Sequence, residues 1–437
     1  MTLPREQLDE LHWRRIKLLL AYAYRNSPLY RRLYDKAGIT PEDVHTWEDF
    51  YTKVPFTDKP DFLKEQETSL FPSMALPEDY HLYYFQTSGT TGAPLREAFT
   101  HYDSLRCGDE WAIMFWDCGI RPSDRFYFCF NWGLWIGLWS AYWGVRAIGA
   151  TVYSGGGMTS EQRIQQILDL QPTVVVGTPT YLVHLLDLAR KQGIDLSRSS
   201  VKFVSGGGEA GFNIPTTRRY LEQGWGATVC DFYGIGEVNL GFIECRAHAG
   251  GVHAVESAYH SFSADPATGE RVPDGEVGEN IVSTFAHTGQ VFIKYRTHDL
   301  VRRSARHEHG CGWTWSWLDG SVLGRSDFMV TIRGVNIYPT AIENLLAKVP
   351  GASPHYELHI SRAEGMDRML VKIEVDPSVP ATDYATVAAQ AEAVYRDAIG
   401  VRLETEVVPP QTLPRYELKS KRIFDHRPKE ERLELYR

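Results

Sequence analysis

The spacing of apolar side chains predicts several helices and short strands before residue 150. In residues 5–37, large apolar side chains such as Trp13 and Ile16 recur every three or four positions, which is typical of an amphipathic helix. A second helical pattern covers residues 101–118, and an aromatic run typical of a strand follows it at 125–130. This part of the chain is therefore expected to mix helices with short strands.

From residue 150 onward, short apolar runs alternate regularly with amphipathic segments. Strands are predicted at 151–154, 173–176, 201–205 and 228–232, and helices at 160–170, 179–192 and 214–223. This alternation is typical of a parallel sheet with helices on its faces. Ligands of such sheets bind at the carboxyl ends of the strands, so the glycine-rich loops at 205–209 and 233–237 are candidate binding elements.

The pattern changes again after residue 240 and becomes rich in strands. Strands are predicted at 275–283 and 291–303 and, after a break near residue 324, at 355–361 and 368–376. We therefore predict an α/β protein whose large N-terminal domain, residues 1–325, combines parallel sheets flanked by helices with a β-rich subdomain. Residues 326–437 are predicted to form a small, mobile α+β C-terminal domain.

Composition excludes several classes of protein. The chain has 437 residues, of which 43% are hydrophobic and 23% are charged, as in ordinary globular proteins. Its formal net charge of −9 argues against a general nucleic-acid binder, and no run reaches the ~18 apolar residues of a membrane helix. The first residues lack the features of a signal peptide, and the six cysteines do not suggest a disulfide framework. We expect a cytoplasmic enzyme that binds neither nucleic acid nor membrane.

A polar, glycine-rich loop follows the aromatic strand-like run at 83–85. It contains four hydroxyl residues and two glycines, namely Thr87, Ser88, Gly89, Thr90, Thr91 and Gly92. Hydroxyl and backbone N–H donors can surround the oxygens of a polyphosphate, and glycine lets the backbone approach a ligand closely. The alternative is a polar surface turn. The loop is not a Walker A motif, because that motif requires a lysine after the last glycine, where this chain has Ala93.

Tryptophan and glycine are unusually dense between residues 131 and 143. One interpretation is a tightly packed helix whose glycines admit bulky neighbours, and the other is an aromatic wall for a flat organic substrate. The candidate wall residues are Trp132, Trp135, Ile136 and Trp139.

Five strings, in order along the chain, resemble the AMP-forming adenylating enzymes, the superfamily of acyl-CoA synthetases, peptide-synthetase adenylation domains and luciferases. They are TSGTTGAP at 87–94, YGIGE at 233–237, YRTHDL at 295–300, GRSDFMVTIRGVNIYP at 324–339 and LPRYELKSKR at 413–422. The resemblance spans residues 5–430. Within the superfamily, the strings at 332–339 and 413–422 look most like the phenylacetate–coenzyme A ligase branch.

The resemblance implies a reaction in two steps, with ATP, Mg²⁺ and coenzyme A as cofactors and an aryl or arylacetic acid as substrate. The acid first forms an acyl-adenylate and releases pyrophosphate, after which the small domain rotates and the thiol of coenzyme A displaces AMP. Two alternatives stay open: transfer of the acyl group to a carrier-protein thiol or an amine, and a non-catalytic nucleotide-binding relative. A homodimer is also expected from the resemblance.

The resemblance also implies roles for individual residues. Lys419 would stabilise the transition state of the first step, with Lys421 as a competing residue, and Glu237 would bind Mg²⁺. Asp299 would accept the ribose hydroxyls, and Asp327 would be the hinge of the small domain. The loop from Thr87 to Gly92 would hold the phosphates.

Two further sets of residues follow from the same resemblance. The other nucleotide and coenzyme residues would be Gly208, Glu209, Asp231, Phe232, Tyr233, Gly234, Arg325 and, beside the pantetheine, Gly334. The acid would meet the four candidate wall residues together with Gly206, Gly207, Tyr233 and Gly234. An alternative for Glu209 is that its side chain only caps the helix that follows it.

Several positions depart from the strings that the superfamily usually shows. Ala93 and Leu95 flank Pro94, where a basic residue is common. Gly236 stands where threonine or serine is usual, so a hydroxyl donor to the α-phosphate is missing. His298 and Leu418 each replace a glycine. Loss of a donor of this kind lowers the rate by about 10²–10³-fold where nothing replaces it.

A second, metal-binding site is a further candidate. Cys245, His253, His309 and Cys311 combine thiol and imidazole ligands in two segments, which suits a closed structural zinc site. Some relatives in the same branch resemble this chain in such a cluster. The alternative is a pair of ordinary buried cysteines with surface histidines.

Overall fold

The structure is a computed structural model that describes residues 1–87, 94–137, 139–209, 211–305, 310–326, 330–332, 335–337, 339–363, 366–400, 402–415 and 422–427. The chain divides into two compact units. The first unit comprises Met1–Phe126, Phe130–Gly156 and Asp231–Ser321, and the second comprises Tyr127–Cys129, Gly157–Cys230 and Val322–Arg437. None of the helices in the described part of the chain combines the length and apolar character that crossing a bilayer requires. The domain boundary predicted after residue 325 stays a prediction.

Helices and strands are interspersed along the chain, which confirms the predicted α/β class. The helices are α1 (Arg5–Asn26), α2 (Pro28–Ala37), α3 (Trp47–Lys53), α4 (Lys59–Gln66), α5 (His101–Cys118), α6 (Trp139–Ile148), α7 (Ser160–Leu170), α8 (Pro179–Lys191), α9 (Pro215–Trp225), α10 (Pro339–Leu346) and α11 (Tyr384–Ile399). The strands are β1 (His81–Gln86), β2 (Arg96–Thr100), β3 (Arg125–Phe128), β4 (Thr151–Ser154), β5 (Val174–Val176), β6 (Phe203–Gly206), β7 (Thr228–Ile235), β8 (Asn239–Cys245), β9 (His248–Ala254), β10 (Tyr259–Ala264), β11 (Val277–Thr284), β12 (Tyr295–Ser304), β13 (Trp317–Arg325), β14 (Val330–Ile332), β15 (Val335–Ile337), β16 (Ala352–Ala363), β17 (Met366–Val375), β18 (Glu404–Val408) and β19 (Ile423–Asp425).

The helix predicted over residues 5–37 is in fact two helices. Ser27 ends α1 in an extended conformation, with φ −101° and ψ 118°. The cause is Pro28, because proline disfavours the helical conformation in the residue before it. Pro28 itself begins α2, where its missing N–H has no intrahelical partner to lose. The predicted apolar face is confirmed, since Ile16 and Leu20 of α1 are buried.

The strands of the first unit are mainly antiparallel. β10 pairs with β11 and β11 with β12, and in the latter pair Val282 lies opposite Tyr295. β7 pairs with β8, and Tyr233 lies opposite Phe242. The strand-rich region predicted after residue 240 is confirmed, and β7 and β12 carry the side chains of the candidate site.

The second unit contains a parallel pair of strands and a smaller mixed sheet. β5 and β6 are parallel, and the three valines of β5 are fully buried, as expected for a strand covered on both faces. β16 pairs with β17 in an antiparallel fashion, and β17 and β18 are parallel. The core of this sheet includes Leu358 and Val371 together with Tyr395 of α11. These elements confirm the alternation and the small α+β region that the sequence predicts.

One buried lysine connects helix α3 to the beginning of β12. The ammonium of Lys294 donates hydrogen bonds to the carbonyl oxygens of Phe50, Tyr51 and Val54 at 3.3, 2.7 and 2.7 Å. Carbonyls at the end of a helix have no partner within the helix, so Lys294 supplies one. Burial lowers the pKa of Lys294 to about 7. The residues that follow Lys294 in β12 are therefore held in place by a buried amine.

We expect Lys294→Met to lower the free energy of unfolding by about 2 kcal/mol near neutral pH, because buried carbonyls lose their donor. Between about pH 7 and 10.5 the unfolded chain keeps a proton on Lys294 that the folded chain has released. The stability contributed by this group therefore rises with pH over that window, by up to about 1.4 kcal/mol per pH unit. The difference between parent and variant should widen accordingly in thermal unfolding followed at increasing pH.

Lys53→Met is the matched control for this measurement. Lys53 lies at the end of the same helix and forms an ion pair of 2.9 Å with Asp49, but its side chain is 46% exposed. An exposed pair of this kind contributes about 0–1 kcal/mol, so this variant should show little loss and no widening with pH. Equal losses in the two variants, or a difference that does not change with pH, would contradict the role given to Lys294.

Candidate active site

The carboxylate of Asp299 is buried on β12 and is held by a tyrosine of β7. The hydroxyl of Tyr233 donates to Asp299 Oδ2 at 2.6 Å, and the side-chain amide of Asn280 donates to the same hydroxyl oxygen at 3.4 Å. Burial, and then the charge of Asp299, raises the pKa of Tyr233 well above its usual value. The hydroxyl therefore keeps its proton and continues to donate, which fixes the orientation of the carboxylate predicted to bind ribose.

His298 has the backbone conformation of the glycine that it replaces. Its φ is 60°, in the left-handed region that favours glycine. The imidazole Nε2 lies 2.9 Å from Asp58 Oδ1, and the backbone N–H donates to Glu279 Oε1 at 3.0 Å. Burial alone would raise the pKa of Asp58, but its hydrogen bond and ion pair with His298 lower it. These contacts offset the backbone strain, so this departure is accommodated locally.

Glu237 follows the end of β7 and is also held by a tyrosine. The hydroxyl of Tyr295 donates to Glu237 Oε1 at 2.9 Å, and Glu237 is 8% exposed. Tyr295 is the first residue of β12, and Asp299 lies four residues later on the same strand. The two carboxylates that the resemblance assigns to Mg²⁺ and ribose are therefore positioned by the same pair of strands.

A third carboxyl group, which the sequence did not indicate, lies beside the loop that carries Glu237. Glu97 is on β2 and is 1% exposed. Burial, and then the charge of Glu237, raises the pKa of Glu97 well above its usual value. A Cβ atom built on Gly236 would lie 2.2 Å from Glu97 Oε1, so a side chain at 236 would require this carboxyl group to move. The sequence gives no functional signal for Glu97, which directly follows Arg96 in the short strand-like run from Leu95 to Phe99.

The ends of the predicted phosphate loop are joined by two hydrogen bonds. The backbone N–H of Thr87 donates to the carbonyl of Leu95 at 2.9 Å, and the N–H of Leu95 donates to Thr87 Oγ1 at 2.9 Å. β1 and β2 form an antiparallel hairpin on either side of this closure. Ser88, Gly89, Thr90, Thr91 and Gly92 lie outside the described residues.

The segment rich in tryptophan and glycine is not helical before residue 139. Residues 131–137 contain no helix, and α6 begins at Trp139, so the helical interpretation of the earlier part is wrong. The indole of Trp132 donates to Ser154 Oγ at 2.6 Å and lies edge-on to Trp139 at 4.7 Å between ring centroids. Ile136 is buried in an apolar cluster with Phe85, whereas Trp135 is 39% exposed.

In the second unit, Glu209 caps a helix, but not the one that follows it. Its Oε1 accepts hydrogen bonds from the backbone N–H and the hydroxyl of Thr180, in the first turn of α8. Arg422 also donates to Thr180 Oγ1, at 3.3 Å, and to the hydroxyl of Tyr356 at 2.9 Å. The described contacts of the carboxylate therefore reach back to α8, whereas the alternative interpretation of Glu209 was a cap on the helix that follows it. Its predicted place beside adenine stays a prediction.

Two of the predicted binding glycines have a clear packing role. A Cβ atom on Gly206 would lie 1.6 Å from the carbonyl oxygen of Gly177, and one on Gly234 would lie 2.3 Å from that of Asn239. At both positions any Cβ atom would overlap a backbone carbonyl oxygen, so glycine is required whether or not a ligand binds there. Gly207 and Gly208 follow β6, and Gly208 has a φ of 89°. Their predicted ligand contacts stay predictions.

Three other predicted binding residues belong to strands. Asp231 and Phe232 lie on β7, where the backbone N–H of Asp231 donates to Glu244 Oε2 at 3.1 Å and the ring of Phe232 packs against Trp111 at 4.6 Å. Arg325 is the last residue of β13. Asp327, Gly334 and Lys419, with the competing Lys421, lie outside the described residues.

Arg415 anchors the chain immediately before the segment that carries both candidate lysines. Its guanidinium donates to Glu374 Oε2 at 3.0 Å and to Asp187 Oδ2 at 3.2 Å. His355 Nε2 lies 3.0 Å from the same oxygen of Asp187. Burial would raise the pKa of Asp187, but His355, Tyr220 and Arg415 together lower it to about 2. The sequence indicated Arg415 only as part of a string, because its two acidic partners are far away along the chain.

The candidate metal cluster brings three of its predicted donors together in the first unit. Ligand atoms of Cys245, His253 and Cys311 all lie within 4.8 Å of one another. His253 is fully buried, which contradicts the alternative of a surface histidine at this position. Its Nδ1 lies 3.1 Å from the carbonyl oxygen of Trp315, and its Nε2 lies 3.6 Å from Cys311 Sγ. His309 lies outside the described residues.

Two family models match most of the chain. The model described as AMP-binding enzyme matches residues 29–288, and the model described as AMP-binding enzyme C-terminal domain matches residues 334–427. Phenylacetate-coenzyme A ligase of Aromatoleum evansii is 31% identical over 97% of this chain and 96% of its own length. The enzyme of the same name from Escherichia coli (strain K12) is also 31% identical, over 97% of this chain and 95% of its own.

Solved structures of 2-hydroxyisobutyryl-CoA ligase are similar to this chain. The complex with 2-HIB-AMP in the postadenylation state has a TM-score of 0.90 at 27% identity, over 97% of this chain and 90% of the other. The complex with 2-HIB-AMP and CoA in the thioesterification state has a TM-score of 0.73 at 28% identity, over 98% and 91% of the two chains.

Proposed function

Because the chain belongs to the AMP-binding enzymes, in the phenylacetate–coenzyme A ligase-like branch, we propose that it converts an aromatic carboxylic acid into its coenzyme A thioester. ATP is the second substrate, and AMP and pyrophosphate are the products. The observation that carries this proposal is the pair of buried carboxylates, Asp299 and Glu237, each held by a tyrosine hydroxyl. Both belong to the strings that resemble this superfamily.

In the first step, an oxygen of the acid attacks the α-phosphorus of ATP and the bond to the β-phosphate oxygen breaks. Asp299 orients the nucleotide through the ribose hydroxyls, which is a task for a fixed carboxylate. Glu237 would hold Mg²⁺, which when bound neutralises charge on the phosphate oxygens. The hydroxyl and backbone donors of residues 87–92 bind the β- and γ-phosphates, and Lys419 stabilises the charge that develops in the transition state.

In the second step, the sulfur of coenzyme A attacks the acyl carbon, the thiol proton is lost, and the bond to AMP breaks. We propose that the small domain turns at Asp327 between the two steps and that Gly334 leaves room for the pantetheine. Arg325 lies near the ribose and phosphate in this scheme. Arg415 supports the scheme, since it fixes the chain where it enters the segment with Lys419.

The nature of the acid is inferred from the side chains after β3. Trp132 and Trp139 form a rigid aromatic corner, and an edge-on pair of rings of this kind suits a flat aromatic ligand. Trp135 adds partly exposed aromatic surface. The relatives that are 31% identical act on phenylacetate by name, which supports an aryl or arylacetic acid here. A cytoplasmic location and a homodimer stay predictions.

The function is tested by pyrophosphate release from Mg·ATP with a panel of aryl and arylacetic acids, with and without coenzyme A. We expect release that depends on the acid and accelerates with coenzyme A. Release that coenzyme A does not affect would favour a carrier-protein thiol or an amine as acceptor. ATP binding without release for any acid in the panel would favour the non-catalytic alternative and would contradict the proposal.

Tyr233→Phe tests the role of the tyrosine that holds Asp299. Loss of a hydrogen bond to a buried charge corresponds to about 1.5–3 kcal/mol, so we expect kcat/KM for ATP to fall by about 10–100-fold. The control is Tyr22→Phe, because the hydroxyl of Tyr22 donates to a backbone carbonyl, that of Thr288, at 2.7 Å and not to a carboxylate. Both variants should lose stability, but only Tyr233→Phe should change kcat/KM for ATP strongly. Equal kinetic effects would contradict a specific positioning role.

We also propose that the cluster of Cys245, His253 and Cys311 holds a structural zinc ion, with His309 as the fourth ligand. Two thiols and an imidazole that converge in this way suit Zn²⁺. The carbonyl of Trp315 accepts from Nδ1–H of His253, which leaves Nε2 directed at Cys311. A hydrogen bond of this kind is the usual way in which a metal-binding histidine is oriented.

Elemental analysis of the purified protein should find about one zinc ion per chain. Cys311→Ser should lose most of it and should unfold at a lower temperature, since a structural zinc contributes to folding. Cys107→Ser is the control, because Cys107 is fully buried in the same unit but lies outside the cluster. A parent protein without zinc, or a Cys311→Ser variant that retains it, would contradict this assignment.

A further inference from the structure

Glu97 is a buried carboxyl group whose side chain has no role in the hairpin that carries it. It lies in the middle of β2, opposite Phe85 of β1, and neither of its oxygens has a hydrogen-bond partner among the described residues. The two residues that follow it on the strand, Ala98 and Phe99, are apolar and buried. Burial of a carboxyl group without a partner is strongly unfavourable. A group of this kind in a functional region calls for a ligand that supplies the missing interaction.

The carboxyl group is directed at the loop that carries Glu237. Glu97 Oε1 lies 2.2 Å from the position of a Cβ atom on Gly236, the residue before Glu237. The same Cβ atom would lie 3.3 Å from Thr87 Cγ2, at the base of the predicted phosphate loop. Glycine at 236 therefore leaves Glu97 the space for its present position. Glu97 thus fills the space in which a threonine or serine side chain would otherwise stand.

We propose that Glu97 is a second carboxylate ligand, together with Glu237, of the divalent cation that accompanies ATP, and that Gly236 is the residue that admits it. This inference rests on the proposed function, because that function supplies the cation and the phosphates. Mg²⁺ is bound in proteins by one or two carboxylates together with phosphate oxygens and water, and Glu97 and Glu237 provide two such carboxylates. A divalent cation would balance the two negative charges and give the buried oxygens of Glu97 a partner.

Gly236 has no hydroxyl group that could donate to the α-phosphate, and a second carboxylate ligand would compensate for this loss. In place of a neutral donor beside the α-phosphate, the site would hold its cation more firmly through an additional charged ligand. Charge on the phosphates would then be offset through the cation rather than by a hydrogen bond. Glu97 and Gly236 are therefore one combined feature, although 139 positions separate 97 from 236 in the numbering of the chain.

The first test is the affinity for Mn²⁺ in the presence of α,β-methylene-ATP, measured by calorimetry. Glu97→Gln keeps the shape of the side chain but removes its charge, and we expect it to weaken Mn²⁺ binding by about tenfold or more. The matched control is Glu110→Gln. Glu110 is also buried in the first unit, but it is not one of the two proposed ligands of the cation. Glu110→Gln should change the affinity by less than about twofold. Equal affinity in the parent and Glu97→Gln would overturn the proposal.

This measurement needs no carboxylic acid and no coenzyme A, so it separates the inference from the proposed function. If no acid in the panel is activated but Glu97→Gln still weakens Mn²⁺ binding, the cation site stands and the reaction assignment fails. If acids are activated but Mn²⁺ binding is unchanged in Glu97→Gln, the reaction assignment stands and the inference fails.

The second test concerns the mutual exclusion of Glu97 and a side chain at 236. Gly236→Thr in the parent should lower the melting temperature by at least about 3 °C, because the new Cβ atom overlaps Glu97 Oε1. In a Glu97→Ala background the same substitution should lower it by less than about 1 °C, since the space is then vacant. Equal losses in the two backgrounds would show that the two positions are independent and would overturn the paired assignment.

Discussion

A carboxylate that is removed from water has to be paired or neutralised, and this constraint accounts for most of the geometry of the candidate site. The buried carboxylates of Asp299 and Glu237 each accept a hydrogen bond from a tyrosine hydroxyl, at 2.6 and 2.9 Å. Burial raises the pKa of the Tyr233 hydroxyl, so this group stays a neutral donor to Asp299. These hydrogen bonds set the positions of the two carboxylates within the protein. Glu97 is the exception that makes a cation necessary in our proposal.

The departures from the family strings at His298 and Gly236 are accommodated by the residues that contact them. His298 adopts a conformation that favours glycine, but Asp58 and Glu279 hold its ring and backbone. Gly236 removes a hydroxyl group, but it makes room for the carboxyl group of Glu97. In both cases the residue is unusual for its position in the string, and a residue distant in sequence compensates for it. This pattern is expected at functional sites.

Two cations, the buried Lys294 and the partly buried Arg415, hold the backbone next to the functional segments. Lys294 caps the end of α3 and so fixes the beginning of β12. Arg415 binds Glu374 and Asp187 and so fixes the chain before residues 416–421. In each unit, therefore, a charged side chain whose partners are distant in sequence positions a segment with predicted catalytic residues. The contacts of Lys294 lie within the first unit, and those of Arg415 lie within the second.

The sequence by itself determined the types of most elements and the identity of the functional strings, because hydrophobic periodicity and turn chemistry are local properties. The alternation of strands and helices from residue 151 to 235 was predictable for this reason, and so was the family. The break at Ser27 and the non-helical backbone at 131–137 are also local, but there aromatic and apolar density obscured the signal.

Only the tertiary structure decided which charged groups meet. The hydrogen bond between Tyr233 and Asp299 joins residues that are 66 positions apart in the sequence. The hydrogen bond between Tyr295 and Glu237 joins residues that are 58 positions apart. No periodicity records such a pairing, because it depends on how strands are ordered and registered in a sheet. For the same reason Glu97 gave no functional signal in the sequence: its importance arises from the space beside Gly236, which exists only once the chain has folded.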